Sequence, residues 1–223
     1  MNKLPVFKMK IKPEASELEN KQEFVALVTD PAVELNWHSF SKEKDILEVI
    51  IGLMAEPKDA SRFNGDAKFN FDYDEERQIL TGVALVADMP IYRKMVLPGE
   101  DVEKEFYIVF DKPTVFDFVK KFMKNAYNAN FNMHHDENQK TNDVYIFESM
   151  IVDSSRGISA PKMFEGVSEG SWIISVKVDS KESWEKIKKE GLQGFSVQGY
   201  FGLDYVKEVE EDTLQTIADM TKP

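Results

Sequence analysis

The sequence predicts an α+β fold in which short, mostly antiparallel strands predominate. Phe69, Phe71 and Tyr73 alternate with polar residues, which is the period-two pattern of a half-buried strand. Farther along, the same layout occurs twice: an apolar strand, a capped amphipathic helix and a second strand. These two observations indicate sheets with helices packed against them.

The first of these units joins a strand at Phe106–Phe110 to a helix that starts within Asp111–Thr114. An Asp followed closely by a Pro can cap and start a helix. The buried face of the helix is predicted from apolar residues spaced three and four apart: Val115, Phe118, Val119 and Phe122. Beyond the helix, Asn130–His135 is predicted to be extended.

The second unit joins a strand at Trp172–Val178 to a helix that starts at Asp179–Glu182, a segment like a capping box. Trp184 and Ile187 supply the buried face of this helix. A strand at Gly194–Phe201 completes the unit. Between the two units the chain carries one further predicted strand, Val144–Val152.

Three parts are predicted along the chain: an N-terminal arm at 1–45, a main domain at 46–204 and an acidic, helical tail at 205–223. The arm carries a short strand at Phe24–Val28. A helix is predicted from about Lys42 to Ala55, because its apolar residues fall on one side.

Charge and composition restrict the function. There are 40 Asp and Glu residues against 28 Lys and Arg, a formal net charge of −12, so we expect no nucleic-acid partner. The absence of cysteine rules out disulfides, cysteine nucleophiles and thiolate metal sites. No apolar run is long enough to span a bilayer, and we expect a soluble intracellular protein without a membrane partner.

Three histidines occur, His38, His134 and His135, and the last two are adjacent at the end of a predicted strand. Neighbours in a strand point to opposite faces, so at most one of the pair faces a given pocket. The pair could simply be exposed at the edge of a loop. A metal site would need further ligands, and neither cysteine nor an i, i+4 pair of histidines supplies them.

Ser196 lies in the segment Gly194–Gly199, which reads Gly-Phe-Ser-Val-Gln-Gly. A serine near glycines is most often an ordinary strand or turn residue. The segment also differs from the nucleophile elbow of the α/β-hydrolases, which spaces Gly-x-Ser-x-Gly and runs from strand into helix. A reactive Ser196 would therefore act from within a strand.

The common placement of these groups suggests chemistry, since each unit ends in a strand and those strands carry His135 and Ser196. If the strands pair or lie close, the imidazole can act as general base for the hydroxyl. A third group would fix the tautomer of that base. The nearby carboxylates are Asp136, Glu148 and Asp153, and Glu148 stands among apolar residues, an unusual position for a carboxylate without a partner.

Taken in order, these segments resemble the prohead serine proteases of tailed phages, a group related to the proteases of phage-like defective elements in bacilli and distantly to herpesvirus assembly proteases. The resemblance extends over most of the chain. It is carried by Phe24–Glu34, Thr81–Arg93, His135-Asp136, Glu148–Asp153, Gly170–Trp172 and Gly194–Gly199.

For the fold, the resemblance implies an antiparallel β-barrel like that of the herpesvirus proteases, surrounded by helices, with an N-terminal arm and a C-terminal helix. It places the nucleophile on Ser196. The family histidine is followed by Asp and falls on His135, and Glu148 is favoured as the third member. The Ser154–Gly157 loop is one candidate source of oxyanion donors. No metal or organic cofactor is implied.

The implied activity is that of a serine endopeptidase that digests scaffold and trims capsid proteins inside the assembling prohead, in the host cytoplasm. Its partners would be the phage scaffold and major capsid proteins, and self-association is a further option. The alternatives are a non-catalytic capsid-assembly protein that keeps the protease fold, an esterase or lipase, and a metal-dependent hydrolase.

Overall fold

The computed structural model describes residues 3–11, 22–29, 35–41, 46–51, 70, 72–96 and 101–210. Within these ranges the chain forms thirteen strands in two sheets and two α-helices, α1 (Lys112–Lys124) and α2 (Lys181–Lys189). The mixed α+β class predicted from the sequence is confirmed. The strands are β1 (Lys3–Ile11), β2 (Phe24–Val28), β3 (Leu35–Ser41), β4 (Ile46–Ile51), β5 (Asp72–Asp74), β6 (Ile79–Leu85), β7 (Ile91–Val96), β8 (Glu103–Val109), β9 (Phe131–Met133), β10 (Lys140–Thr141), β11 (Val144–Ile151), β12 (Trp172–Val178) and β13 (Gly194–Glu210).

The larger sheet follows the spatial order β10-β9-β2-β13-β1-β8-β7, with β4 also paired to β13 and β3 paired to β4. The smaller sheet has the order β11-β12-β6-β5. Contacts between β6 and β13 bring the two sheets together. The strand pairing within the described part of the chain does not show a closed barrel, so the predicted barrel stays a prediction.

The long strand β13 organises the larger sheet. It pairs antiparallel with β2 along residues 194–198, with β4 along 197–201 and with β1 along 201–210. Main-chain pairing therefore fixes the strand from one end to the other. Any side chain on β13 is held by this ladder rather than by a loop.

Helix α1 starts as the sequence predicts. The Asp111 side chain accepts a hydrogen bond from Thr114 N at 3.0 Å, and a proline occupies the first turn. The predicted face is buried, and its rings enter the core between the sheets. Phe118 stacks on Phe201 with 5.6 Å between ring centroids, and Phe122 meets Trp172 at the same distance.

Helix α2 starts one residue later than the capping pattern predicts. Its N-cap is Ser180, whose hydroxyl accepts a hydrogen bond from Ser183 N at 3.0 Å. The short serine side chain satisfies one of the free N–H groups of the first turn. Trp184 and Ile187 are buried, as the pattern predicts.

The helix predicted from Lys42 to Ala55 is wrong where the structure describes it, because Ile46–Ile51 forms strand β4. Four of its six residues are β-branched, which favours an extended backbone. Pairing with β13 on one side and β3 on the other completes its hydrogen bonds. The rest of the predicted helix lies outside the described residues.

The predicted tail begins as a strand and not as a helix, since Tyr205–Glu210 continues β13 in register with β1. Residues 211–223 lie outside the described part of the chain. At the other end, β1 and β2 fall within the predicted arm but are members of the larger sheet. The division of the chain at 45 and 204 stays a prediction.

Among the described residues, no helix has both the length and the apolar content needed to cross a bilayer.

Gly199 of β13 lies against the ring of Phe118 from α1. A Cβ added at this position would lie 2.9 Å from ring carbons of Phe118 and Phe201, and both rings are fully buried. We therefore expect Gly199→Ala to lower the free energy of unfolding by about 1–3 kcal/mol, measured by urea denaturation.

A double-mutant cycle supplies the control. Phe118→Leu leaves space for the added methyl group, so Gly199→Ala should cost less in that background than in the wild type. Equal costs in the two backgrounds would show that the approach of Phe118 is not what requires a glycine.

Candidate active site

The two faces of β13 differ in chemistry at its N-terminal end. Phe195 and Val197 belong to the hydrophobic core. Successive strand residues point to opposite faces, so Ser196 and Gln198 share the other face. Both are buried, with 0 % and 6 % of their surface exposed. Burying polar side chains is costly unless they are hydrogen-bonded, and two of them on one face indicate a built site.

Strand register places a third buried polar residue in line with Ser196. Ser196 lies opposite Ala26 of β2, and Ala26 lies beside Asn132 of β9. Residues opposite one another share a face of the sheet, so these side chains form one row. Asn132 is almost fully buried. The row crosses three strands, with β2 in the middle.

This register corrects one expectation. The strands that carry the histidine pair and the serine were expected to pair or lie close, but β2 separates β9 from β13. Two strand spacings amount to about 10 Å. A side chain at the end of β9 must therefore pass over β2 to reach Ser196, and the small side chain of Ala26 fits that path.

A tight turn at Met133–Asp136 directs the histidines. Asp136 N donates a hydrogen bond to Met133 O at 3.0 Å, and both central residues, His134 and His135, have positive φ angles of 56° and 57°. These are the features of a type I′ turn. Left-handed backbone costs roughly 1–2 kcal/mol at each residue other than glycine, and such strain is often found at functional sites.

The two imidazoles of this turn contact different partners. Nε2 of His135 lies 2.7 Å from Oγ of Ser196. Nε2 of His134 lies 3.2 Å from Oε2 of Glu190, which follows α2. The structure thus brings His135, rather than His134, to Ser196. The side chain of His38 lies outside the described residues.

Burial controls the charge of His135. Burial lowers the pKa of the His135 imidazole from 6.5 to about 4. The nearby Gln198 side chain opposes this shift in part, and the charge of His134 adds to it. The imidazole is therefore neutral at pH 7. Only the neutral ring can take a proton from a hydroxyl group.

Glu148, favoured from the sequence as the third member, is exposed on β11, an edge strand of the smaller sheet. The pairing of β11 with β12 is irregular between Ile146 and Glu148. None of the hydrogen bonds or ion pairs in the described part of the chain joins Glu148 to His135. The structure does not bring this carboxylate to the Ser–His pair.

The other two candidate carboxylates, Asp136 and Asp153, accept hydrogen bonds from residues within three positions of them in the chain. Asp136 accepts hydrogen bonds from Asn138 N at 2.8 Å and from Gln139 Nε2 at 3.0 Å. Asp153 accepts from Ser155 Oγ at 2.6 Å and from Arg156 Nε at 2.7 Å. Both carboxylates are thus committed locally.

Three of the four amides of the Ser154–Gly157 loop, those of Ser154, Arg156 and Gly157, donate hydrogen bonds locally. Ser154 N donates to Glu169 Oε2 at 3.1 Å, and Gly157 N donates to Ser154 O at 3.0 Å. These contacts give no support to this loop as the source of oxyanion donors.

Gln198 is the site residue that the sequence reasoning missed. It follows Ser196 by two positions, so the strand period alone places it on the same face. Within the described ranges, no cluster of three or more His, Asp or Glu residues is arranged to hold a metal ion.

A serine hydroxyl in contact with a neutral imidazole is the pair that serine hydrolases use to form a covalent acyl intermediate. The 2.7 Å contact between His135 and Ser196 has the geometry of that pair. It is held on the strands of an α+β fold and lacks the nucleophile elbow of the α/β-hydrolases.

Residues 66–203 match the family model described as "Putative phage serine protease XkdF". The match covers more than half of the chain, which therefore belongs to this family, and the resemblance found in the sequence is confirmed. No curated protein and no solved structure matches the chain. His135, Ser196 and Gln198 all fall inside the matched residues.

We expect the ring of His135 to stay neutral down to about pH 5.5, because its pKa is lowered to about 4. The measurement is an NMR titration of the ring Cε1–H signal, assigned with His135→Gln. In the unfolded chain an ordinary histidine binds its proton near pH 6.5. The unfolded state therefore binds more protons between these two values, and the free energy of unfolding falls as the pH is lowered from 6.5 to 4.

His135→Gln should remove that part of the pH dependence and leave the contribution of the carboxylates. A titration midpoint at or above 6.5 would contradict the burial of this imidazole.

Proposed function

We propose that the protein is a serine endopeptidase of phage head assembly, with Ser196 as the nucleophile and His135 as the general base. The observation that carries this proposal is the 2.7 Å contact between Ser196 Oγ and His135 Nε2. Membership of a family of phage serine proteases supports a peptide bond as the target.

The first half of the reaction forms an ester. Ser196 Oγ attacks the carbonyl carbon of the peptide bond while His135 Nε2 takes the hydroxyl proton. The tetrahedral intermediate then breaks its C–N bond, and His135 gives the proton to the departing amine. The new amino terminus leaves, and the acyl group stays on Ser196.

The second half returns the enzyme to its starting state. A water molecule attacks the ester carbonyl while His135 takes a proton from it. The C–O bond to Ser196 breaks, and the proton passes from His135 to the serine oxygen. The products are a carboxylic acid and free Ser196, and donors near the reacting carbonyl would stabilise both tetrahedral intermediates.

Scaffold and major capsid proteins are the proposed substrates, cleaved inside the assembling prohead in the host cytoplasm. Self-association of the protease is part of the same proposal. The β-barrel implied by the resemblance to herpesvirus assembly proteases also belongs to this proposal. The contacts between β6 and β13, one strand from each sheet, support it.

One observation favours a second candidate function, a non-catalytic capsid-assembly protein that keeps the protease fold. Ser196 is fully buried, so a polypeptide reaches its hydroxyl only after the residues that cover it move. In a purely structural protein that movement would be unnecessary. Chemical reactivity of Ser196 separates the two functions.

Purified protein incubated at high concentration, alone and with its scaffold protein, should yield defined fragments by mass spectrometry. Ser196→Ala should yield none, because the attacking oxygen is missing. A fluorophosphonate reagent should label the wild type on Ser196 and leave Ser196→Ala unlabelled. Equal fragmentation of the two proteins, or a folded wild type that neither cleaves nor reacts, would favour the non-catalytic function.

The two histidines are separated by the rate of fluorophosphonate labelling. His135→Gln should slow it by about 10²–10⁴-fold, the usual contribution of a general base. His134→Asn should change it little, because His134 contacts Glu190 and asparagine tolerates the left-handed backbone of the turn.

Glu148→Gln serves as a further control and should label at the wild-type rate. Loss of labelling in Glu148→Gln, or an equal loss in His134→Asn and His135→Gln, would contradict the assignment of roles.

A further inference from the structure

Strand register places a lysine on the same face of the larger sheet as Ser196. Lys140 of β10 lies opposite Asn132 of β9. Asn132 lies beside Ala26 of β2, and Ala26 lies opposite Ser196 of β13. Residues opposite one another share a face of the sheet, so these four side chains form one row across four strands. The row begins at the hydroxyl group of Ser196 and ends at Lys140.

The Lys140 side chain extends over this face toward the strand that carries Ser196. Its Nζ lies 4.9 Å from the centroid of the Phe24 ring. Phe24 belongs to β2 and lies opposite Gln198, two residues after Ser196 on β13. Neighbouring strands are about 5 Å apart, so the ring that holds the ammonium group is only one strand spacing from β13.

Exposure to solvent increases along the row from the serine to the lysine. Ser196 and Ala26 are fully buried and Asn132 is 1 % exposed, whereas Lys140 is exposed. A peptide that approaches this face from solvent therefore meets Lys140 before it meets Ser196. The lysine is placed to select a peptide before the serine can react with it.

Asn132, in the middle of the row, has an acceptor that the protein does not use. Its Oδ1 is buried, and no hydrogen bond reaches this atom from the part of the chain that the structure describes. A buried polar atom without a hydrogen bond costs free energy, which a ligand with a donor would recover. A main-chain N–H group of an extended peptide is such a donor.

The positive charge of Lys140 is not neutralised by a neighbouring carboxylate. The chain has 40 acidic residues, and other lysines have a carboxylate partner, as Lys10 has Asp204 at 2.7 Å. Within the described ranges no ion pair joins Lys140 to a carboxylate, and its neighbour is the ring of Phe24. The face of an aromatic ring attracts a cation but leaves it charged. The ammonium group is therefore able to pair with a carboxylate of a ligand.

We propose that Lys140 is a specificity-determining residue: its ammonium group pairs with an aspartate or glutamate side chain of the substrate, while Asn132 Oδ1 accepts a main-chain N–H bond of the same peptide. Two strand spacings, about 10 Å, separate β9 from β13, and an extended peptide advances about 3.3 Å per residue. The acidic residue therefore lies within about three residues of the scissile bond. This inference rests on the proposed function and names the class of peptide that the site selects.

Cleavage-site profiling tests the inference. The full-length protein is incubated with a library of peptides from a digested proteome, and the cleaved bonds are identified by mass spectrometry. Asp and Glu should be enriched at one position within about three residues of the cleaved bond. For synthetic peptides that differ only there, kcat/KM should be about 2- to 5-fold higher with Glu than with Gln, the range of an exposed ion pair. Added salt should bring this ratio toward one, because ions screen exposed charges.

Substitution of Lys140 tests its role directly. Lys140→Glu should reverse the preference, so that the peptide with Lys at this position is cleaved faster than the peptide with Glu. Lys140→Met removes the charge and should bring the ratio for the Glu and Gln peptides close to one. Lys120→Glu is the matched control, because Lys120 also lies over a phenylalanine ring, that of Phe116 on α1. It should keep the wild-type preference.

Binding without cleavage distinguishes the two ways of failing. Immobilised Ser196→Ala should retain the acidic peptides of the library, and the double variant Ser196→Ala, Lys140→Glu should not. A wild type that neither cleaves nor reacts with a fluorophosphonate, with retention still dependent on Lys140, overturns the proposed function and keeps the recognition surface. Cleavage without a preference for acidic residues, or with the same preference in Lys140→Glu, overturns the role of Lys140. The absence of both cleavage and retention overturns both proposals.

Discussion

The hydrogen bond between His135 and Ser196 depends on a strand to which neither residue belongs. β2 pairs parallel with β9 and antiparallel with β13, and so sets the spacing between the turn that carries the imidazole and the strand that carries the hydroxyl. His134 N also donates to Leu27 O at 3.0 Å, which ties the turn directly to β2. Backbone ladders, rather than loop packing, thus determine the geometry of the pair.

The site combines several features that are unfavourable for stability alone. Polar side chains are buried, and two successive residues adopt left-handed backbone. Burial also keeps an imidazole neutral at pH values below its usual pKa. Each of these lowers the free energy of unfolding. The packing of α1 between the sheets, with Phe118 and Phe122 fully buried, supplies compensating hydrophobic stabilisation.

Sequence patterns predicted the elements that depend on interactions between residues close together in the chain. The cap of α1, the buried faces of both helices, strand β12 and the first half of β13 follow from spacing within one segment. The pairing of β2 between β9 and β13 joins residues more than 100 positions apart, and no local pattern encodes it. The resemblance to a family named Ser196 and His135, which the structure brings into contact, whereas Glu148 lies exposed on the smaller sheet. For β4, β-branched residues outweighed an apparent helical face.

The position of β2 in the chain bears on how the protein can be divided. The residues matched by the family begin at 66, whereas β2 ends at Val28 and β1 at Ile11. A fragment cut at the limits of the match would contain the hydroxyl and the imidazole, yet it would lack the strand that lies between β9 and β13 and sets their spacing. The stretch of chain that identifies the family is therefore shorter than the stretch that contains every strand of the site.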